Sequence, residues 1–248
     1  MKPWNNLERL FFAAFLFWSA AGLVFEVFHL TPDMVARWDV PYGIGQLPSW
    51  VGPFVQVCLQ VGDPVLIVLA FANTHLHAAR QWSAGLARRW AFTILIAAYL
   101  IESIGVVAGV PFGIYQYTDK FGLLLGQVPF TIPLAWHVVV TNALFVVRAV
   151  TPVGWRVAEV TLTGLLCMAY DYILEPFATV VKNYWVWSGG EVPSINYLAW
   201  FAISSLMVLF FAPAATTLFR FDPRPWLILG LTSLIFVIGT YGTSWMTG

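Results

Sequence analysis

Charged residues make up only 10% of this 248-residue chain, against roughly 25% in soluble domains. Lysine and arginine balance aspartate and glutamate at 12 each, so no basic stripe exists to neutralise nucleic-acid phosphates. The three lysines are Lys2, Lys120 and Lys182; none lies in the last apolar segment, which excludes a retinal Schiff base there. Four histidines, mostly near segment ends, are too few for a membrane di-iron centre. The two cysteines, Cys58 and Cys167, sit in apolar runs and imply neither a disulfide framework nor a metal site. No glycine-rich phosphate loop occurs. "DYILE" looks superficially like the acidic motif of prenyl-diphosphate enzymes, but the outer half of the chain has almost no cation for a diphosphate.

What is abundant is apolar: 60% of residues are hydrophobic and the mean hydropathy is +0.78. That composition predicts an all-α, polytopic membrane helical bundle forming one integral membrane domain over 1–248. About seven stretches are long enough to span, near 10–30, 52–72, 90–110, 126–147, 157–178, 196–218 and 226–245. The basic, apolar opening resembles a secretory signal but lacks a small-residue cleavage site, so it reads as the first span. Nine basic residues fall at the N-terminus and in the loops after spans two, four and six, and three fall on the other side. This bias predicts a cytoplasmic N-terminus in the cell membrane.

The outer connections are long, aromatic and rich in Gly and Pro, and are expected to fold over the mouth of the bundle. For Tyr115, Tyr117, Trp185 and Trp187 this reading and a simple interfacial belt both stand. Trp4, Trp82, Trp90 and Trp226 read as belt residues. "VPFTIPLAW" at Val128 and "VPSINYLAW" at Val192 share a pattern, through duplication or coincidence.

Ionisable residues inside spans are rare and tend to mark function. Here they are Glu26, Asp63, Glu102, His137, Asp171 and Glu175, with Glu159 near a span end. Asp171 and Glu175 are four apart, hence on one helix face. Two such carboxylates in low dielectric cannot both ionise easily, so the pair is expected to hold a proton and titrate as a unit. Pro176 is expected to break the helix and free carbonyls toward the same cavity. Asp63 followed by Pro64 reads as the cap of a half-helix. Glu26 reads as solvated near the outer surface, and His29, His75 and His77 as surface residues. His137 reads first as a hydrogen-bonded core histidine and is also a candidate substrate contact. What remains is cofactor-free acid chemistry on an apolar molecule: a neutral carboxyl to protonate an alkene, and aromatic faces or a carboxylate to stabilise the cation.

"ESIGVVAGVPFGIYQYTDKFG", "VPFTIPLAW", "DYILEPFA", "YWVW" and "VPSINYLAWF", in that order, resemble the membrane carotenoid hydratase family, which includes the bisanhydrobacterioruberin and gamma-carotene hydratases. The resemblance covers about residues 95–205. The family's glutamate before G-x-PFG-x-Y-x-Y falls on Glu102, Gly109, Pro111, Phe112, Gly113, Tyr115 and Tyr117. Its acidic pair before a proline falls on Asp171 and Glu175, where aspartate is commoner at the second position. The longer side chain leaves the division between acid and base open.

The resemblance implies addition of water to the terminal 1,2 (or 1',2') double bond of an acyclic carotenoid end, giving a tertiary alcohol without a cofactor or metal. The expected catalytic residues are Asp171, Glu175 and Glu102. The expected substrate contacts are Tyr115, Tyr117, Trp136, His137, Trp187 and Asn196. The partners are a lipophilic carotenoid and the lipid bilayer, not nucleic acid. A proton-initiated lycopene cyclase and a proton-coupled transporter are the rival readings.

Overall fold

The computed structural model describes residues 4–28, 51–214 and 221–246. The outer connection at 31–50, with Arg37 and His29, lies outside the described residues, as does Arg220. Among the described residues, seven helices are long and apolar enough to cross a membrane. They are α1 (Asn6–Val27), α2 (Val51–Gln81), α3 (Ala84–Ala108), α4 (Thr131–Val150), α5 (Arg156–Pro176), α6 (Ser194–Phe211) and α7 (Arg224–Met246). The strands among the described residues are β1 (Tyr115–Tyr117), β2 (Leu124–Leu125), β3 (Val128–Pro129) and β4 (Trp185–Trp187).

Helix ends follow local chemistry. Asn5 caps α1 in a reciprocal box with Glu8, each side chain accepting the other's backbone N–H. Ser83 caps α3, and Gly109, at φ 70°, closes it in the left-handed conformation that glycine adopts without penalty. The fourth helix starts later than hydropathy suggests, at Thr131, because Leu124–Pro129 folds into a β2–β3 hairpin. The sixth stops at Phe211 rather than 218: Pro213 forces Ala212 into extended backbone, at ψ 135°.

Two expected breaks take other forms. The second helix runs through Asp63–Pro64 as 31 continuous residues, so Asp63 is not a cap. In the turn before the proline, the Gly62 carbonyl accepts Trp18 Nε1 at 2.8 Å. After Pro176 the chain continues as a π-helical turn, Phe177–Val181. The Phe177 and Ala178 carbonyls there accept the amides of Lys182 and Tyr184, so these carbonyls are not freed toward the cavity.

The central helix is α4, whose side chains are buried nearly throughout and which packs on α2, α3, α5 and α7. Two glycines allow close approaches around it. A Cβ at Gly164 on α5 would lie 2.1 Å from Ser205 Oγ and 2.8 Å from the Phe201 carbonyl of α6. A Cβ at Gly105 on α3 would lie 2.8 Å from the Phe112 ring and 3.0 Å from the Tyr115 hydroxyl.

At the end where α1 begins, buried ion pairs tie the helices together. Glu8 pairs with Arg80 and Arg224, Arg224 with Asp222, and Glu159 with Arg148 and Arg156. His77 is not a surface residue: it is fully buried in this network, 3.5 Å from Asp222. Burial alone would raise the Asp222 carboxyl, but hydrogen bonds from His77 and Arg224 outweigh it and hold the group well below its ordinary value. Nor is Trp90 a belt residue, since it is buried and donates to Thr141 Oγ1 at 2.8 Å. Trp226 is exposed, as a belt residue would be.

Candidate functional site

At the opposite end, β1 and β4 pair antiparallel, with Tyr115 opposite Trp187 and Tyr117 opposite Trp185. Strand alternation turns Gln116 and Val186 outward and the four aromatic rings inward. These rings are therefore a cap over the bundle, not a belt around it. Beneath them lies a cavity whose empty space, open mouth included, is about 990 Å³. Its polar lining includes Glu102, Asp171, Glu175, Asn196, Asp63 and Thr232; Leu66, Ile67, Ala70, Val138, Val139 and Phe236 are among its apolar lining.

Each carboxylate is held by donors from a different element. Glu102 Oε2 accepts the hydroxyls of Tyr115 at 2.6 Å and Tyr117 at 2.8 Å, and Oε1 accepts Trp136 Nε1 at 2.7 Å. Burial first, then the Glu102 charge, push both phenols well above their ordinary value, so both keep the proton they donate. Glu175 Oε2 accepts the indole N–H groups of Trp185 at 3.2 Å and Trp187 at 3.0 Å. Asn196 Nδ2 bridges the pair, donating to Asp171 Oδ2 at 2.7 Å and to Glu175 Oε1 at 3.2 Å. Asp171 and Glu175 are 1% and 2% exposed, so these bonds form away from bulk water.

The tryptophans of the two echoed sequences meet. Trp136 and Trp200 stack with centroids 3.7 Å apart and planes 4° from parallel. At the rim, Lys182 reaches Glu26 at 2.6 Å and Asp63 at 3.7 Å, and the Tyr184 hydroxyl donates to Asp63. Burial opposes the charge on Lys182, but Asp63 and Glu26 outweigh it and raise its pKa. Glu26 is thus ion-paired rather than merely solvated.

Of the residues singled out in the sequence, Glu102, Asp171, Glu175, Tyr115, Tyr117, Trp136, Trp187 and Asn196 all line this cavity. His137 is a correction: it does not line the cavity, because its ring turns toward Phe71 and His75 on α2. Sequence reasoning did not assign Tyr184, Trp185 or Trp200 to the site, though all three line it. The alternation in "YWVW" was the available signal for Trp185, and the repeated "LAW" for Trp200; Tyr184, which alternation would turn outward with Val186, had none.

Fold and site define a class: a multi-pass helical membrane protein with a strand-capped, mostly apolar cavity into which carboxylates are gathered. The chain belongs to the carotenoid biosynthesis protein family, whose model matches residues 62–244. It is similar to a bisanhydrobacterioruberin hydratase of Haloarcula japonica, 32% identical over 126 residues. That match covers 48% of this chain and 42% of the relative, so the chain spans less than half of the relative's length. No solved structure matches the chain.

Proposed function

We propose that this protein is a cofactor-independent hydro-lyase of the cell membrane that adds water to the terminal 1,2 double bond of an acyclic carotenoid. The observation that carries the reading is the convergence of Glu102, Asp171 and Glu175, with Asn196, on one aromatic-walled cavity whose lining is otherwise mostly apolar, Asp63 and Thr232 aside. An isoprenoid end suits the apolar lining, and among the described residues the site offers no cation to a diphosphate beyond Lys182, which is already held by Glu26 and Asp63.

The donors suggest a division of labour between the acids. An indole N–H can only donate, so Trp136, Trp185 and Trp187 suit carboxylates that stay ionised, Glu102 and Glu175. Asp171 accepts a single protein hydrogen bond among the described residues, from Asn196, and is the proposed proton donor. Its proton goes to the alkene carbon bearing the one vinylic hydrogen, and the π pair forms the new C–H bond. The neighbouring carbon becomes a tertiary cation, facing the rings of Trp136 or Trp187 and the two carboxylates. Water attacks that carbon, forms the C–O bond and gives up one proton, which returns to the acid pair. Atoms and protons balance without a cofactor.

The test is to supply an acyclic carotenoid to membranes containing the protein and weigh the products. Gain of one water supports hydration, and an isomer of unchanged mass indicates cyclisation by the same acid. The transport reading leaned on a broken helix at Asp63–Pro64, and α2 runs through that point intact.

A further inference from the structure

The α2–α4 seam just below the cavity carries polar groups with no partner. His137 and Asn142 are wholly buried, yet His137 Nε2 and Asn142 Oδ1 meet no hydrogen-bonding group among the described residues. The Nδ1 atom of half-buried His75 is likewise enclosed and unpaired. Neighbouring groups of this seam are paired at close distance. Asn142 Nδ2 donates to Thr74 Oγ1 at 2.7 Å and to the Val138 carbonyl at 2.8 Å, while Thr74 Oγ1 donates to the Ala70 carbonyl at 2.8 Å. Ala70 and Val138 both line the cavity. The His137 ring, between cavity-lining Trp136 and Val138, turns away from the cavity toward α2, and Asn142 lies one helical turn beyond Val138, so both sit behind its wall.

Their chemistry is complementary. Trp90 Nε1 donates to Thr141 Oγ1 at 2.8 Å, which leaves the threonine proton for His137 Nδ1, 3.4 Å away. The imidazole proton then sits on Nε2, a donor, while Asn142 Oδ1 is an acceptor and His75 offers a second imidazole. The rings of His75 and His137 have centroids 6.3 Å apart, a gap that one molecule making two hydrogen bonds of about 3 Å can bridge. Buried polar groups without protein partners are satisfied by bound water when the site offers two to four such contacts.

We infer that His75, His137 and Asn142 form a binding site for ordered water behind the cavity wall, and that this water is the reservoir for the co-substrate. The site itself stands on the unpaired groups; its role as a reservoir rests on the hydration reading. A cation formed in an apolar cavity is captured by water only if water is held close by. Otherwise it loses a proton and returns an alkene.

Two measurements test this on the full chain in lipid nanodiscs. X-ray radiolytic labelling oxidises side chains that lie beside ordered water. His137 and Phe71, whose rings are 5.0 Å apart, should be labelled several-fold more than buried Phe145. Labelling of both at the Phe145 level would overturn the site. The second measurement follows product partition in deuterated water with His137→Leu and Asn142→Leu. Alcohol should fall at least tenfold while deuterium still enters the recovered hydrocarbon, and His137→Gln, which keeps a donor and an acceptor, should restore most of the alcohol. Alcohol and deuterium falling together, unrestored by His137→Gln, would overturn the reservoir role, as would unchanged alcohol. If the wild-type protein makes no alcohol at all, the hydration reading fails, and the labelling still decides whether water is bound.

Discussion

Replacing Glu102 with glutamine keeps the side chain's shape and removes its charge. The three donors on it, at 2.6, 2.8 and 2.7 Å, constrain how the amide sits. Its oxygen must face Trp136 Nε1, which cannot accept, and its NH₂ must face the two tyrosines, whose hydroxyls can turn to accept. All three contacts survive as neutral hydrogen bonds. A bond to a charged group contributes about 1.5–3 kcal/mol and a neutral one about 0.5–1.5, so the set weakens by about 3 kcal/mol. Removing a buried charge relieves a desolvation penalty of several kcal/mol, which offsets that loss. Stability should therefore change little. Catalysis should not be spared, because a neutral amide neither stabilises the cation nor accepts a proton, and such groups contribute ~100- to 10,000-fold. The assay pairs hydration rate with the thermal midpoint of the purified protein. Activity within tenfold of wild type would refute the electrostatic role, and loss of the folded protein would make the Glu102 cluster a structural support instead.

Asp171→Asn and Glu175→Gln should each lower hydration by ~100- to 10,000-fold with the protein still inserted; a loss below tenfold would demote that residue to support. Gly164→Ala places a Cβ 2.8 Å from the Phe201 carbonyl, and backbone cannot yield as a side-chain tip can. It should destabilise the α5–α6 pair by about 1–3 kcal/mol, read as a lowered thermal midpoint; an unchanged midpoint would contradict the close approach. The bias of nine basic residues to three predicts that a reporter fused after Gly248 behaves as exported, and cytoplasmic behaviour would mean a miscounted span.

Much of this was legible because bilayer physics writes itself into sequence. Runs of about twenty apolar residues fixed the number of helices, and the rarity of intramembrane acids singled out Glu102, Asp171 and Glu175. Helical spacing put the last two on one face. It could not show that β1 and β4 pair across 70 residues of chain to close over them, because strands of three residues carry almost no periodicity. His77 and Trp90 were misread for a related reason. Nearness to a span end suggests exposure, but Asp222 and Arg224 bury His77 from the far end of the chain, and Thr141 gives Trp90 a partner inside the bundle. Asp63–Pro64 misled because a proline inside a long helix removes one i→i−4 hydrogen bond without ending the helix, which here runs on from Val51 to Gln81.

The most direct test of the central claim is the origin of the atoms added to the substrate. Membranes containing the protein should be given an acyclic carotenoid in deuterated, heavy-oxygen water, and the products analysed by mass spectrometry. Heavy oxygen in a tertiary alcohol, with one deuterium on the adjacent carbon, is the predicted result. A hydroxyl oxygen derived from molecular oxygen instead would contradict it, because an acid pair that protonates an alkene has no means of activating dioxygen.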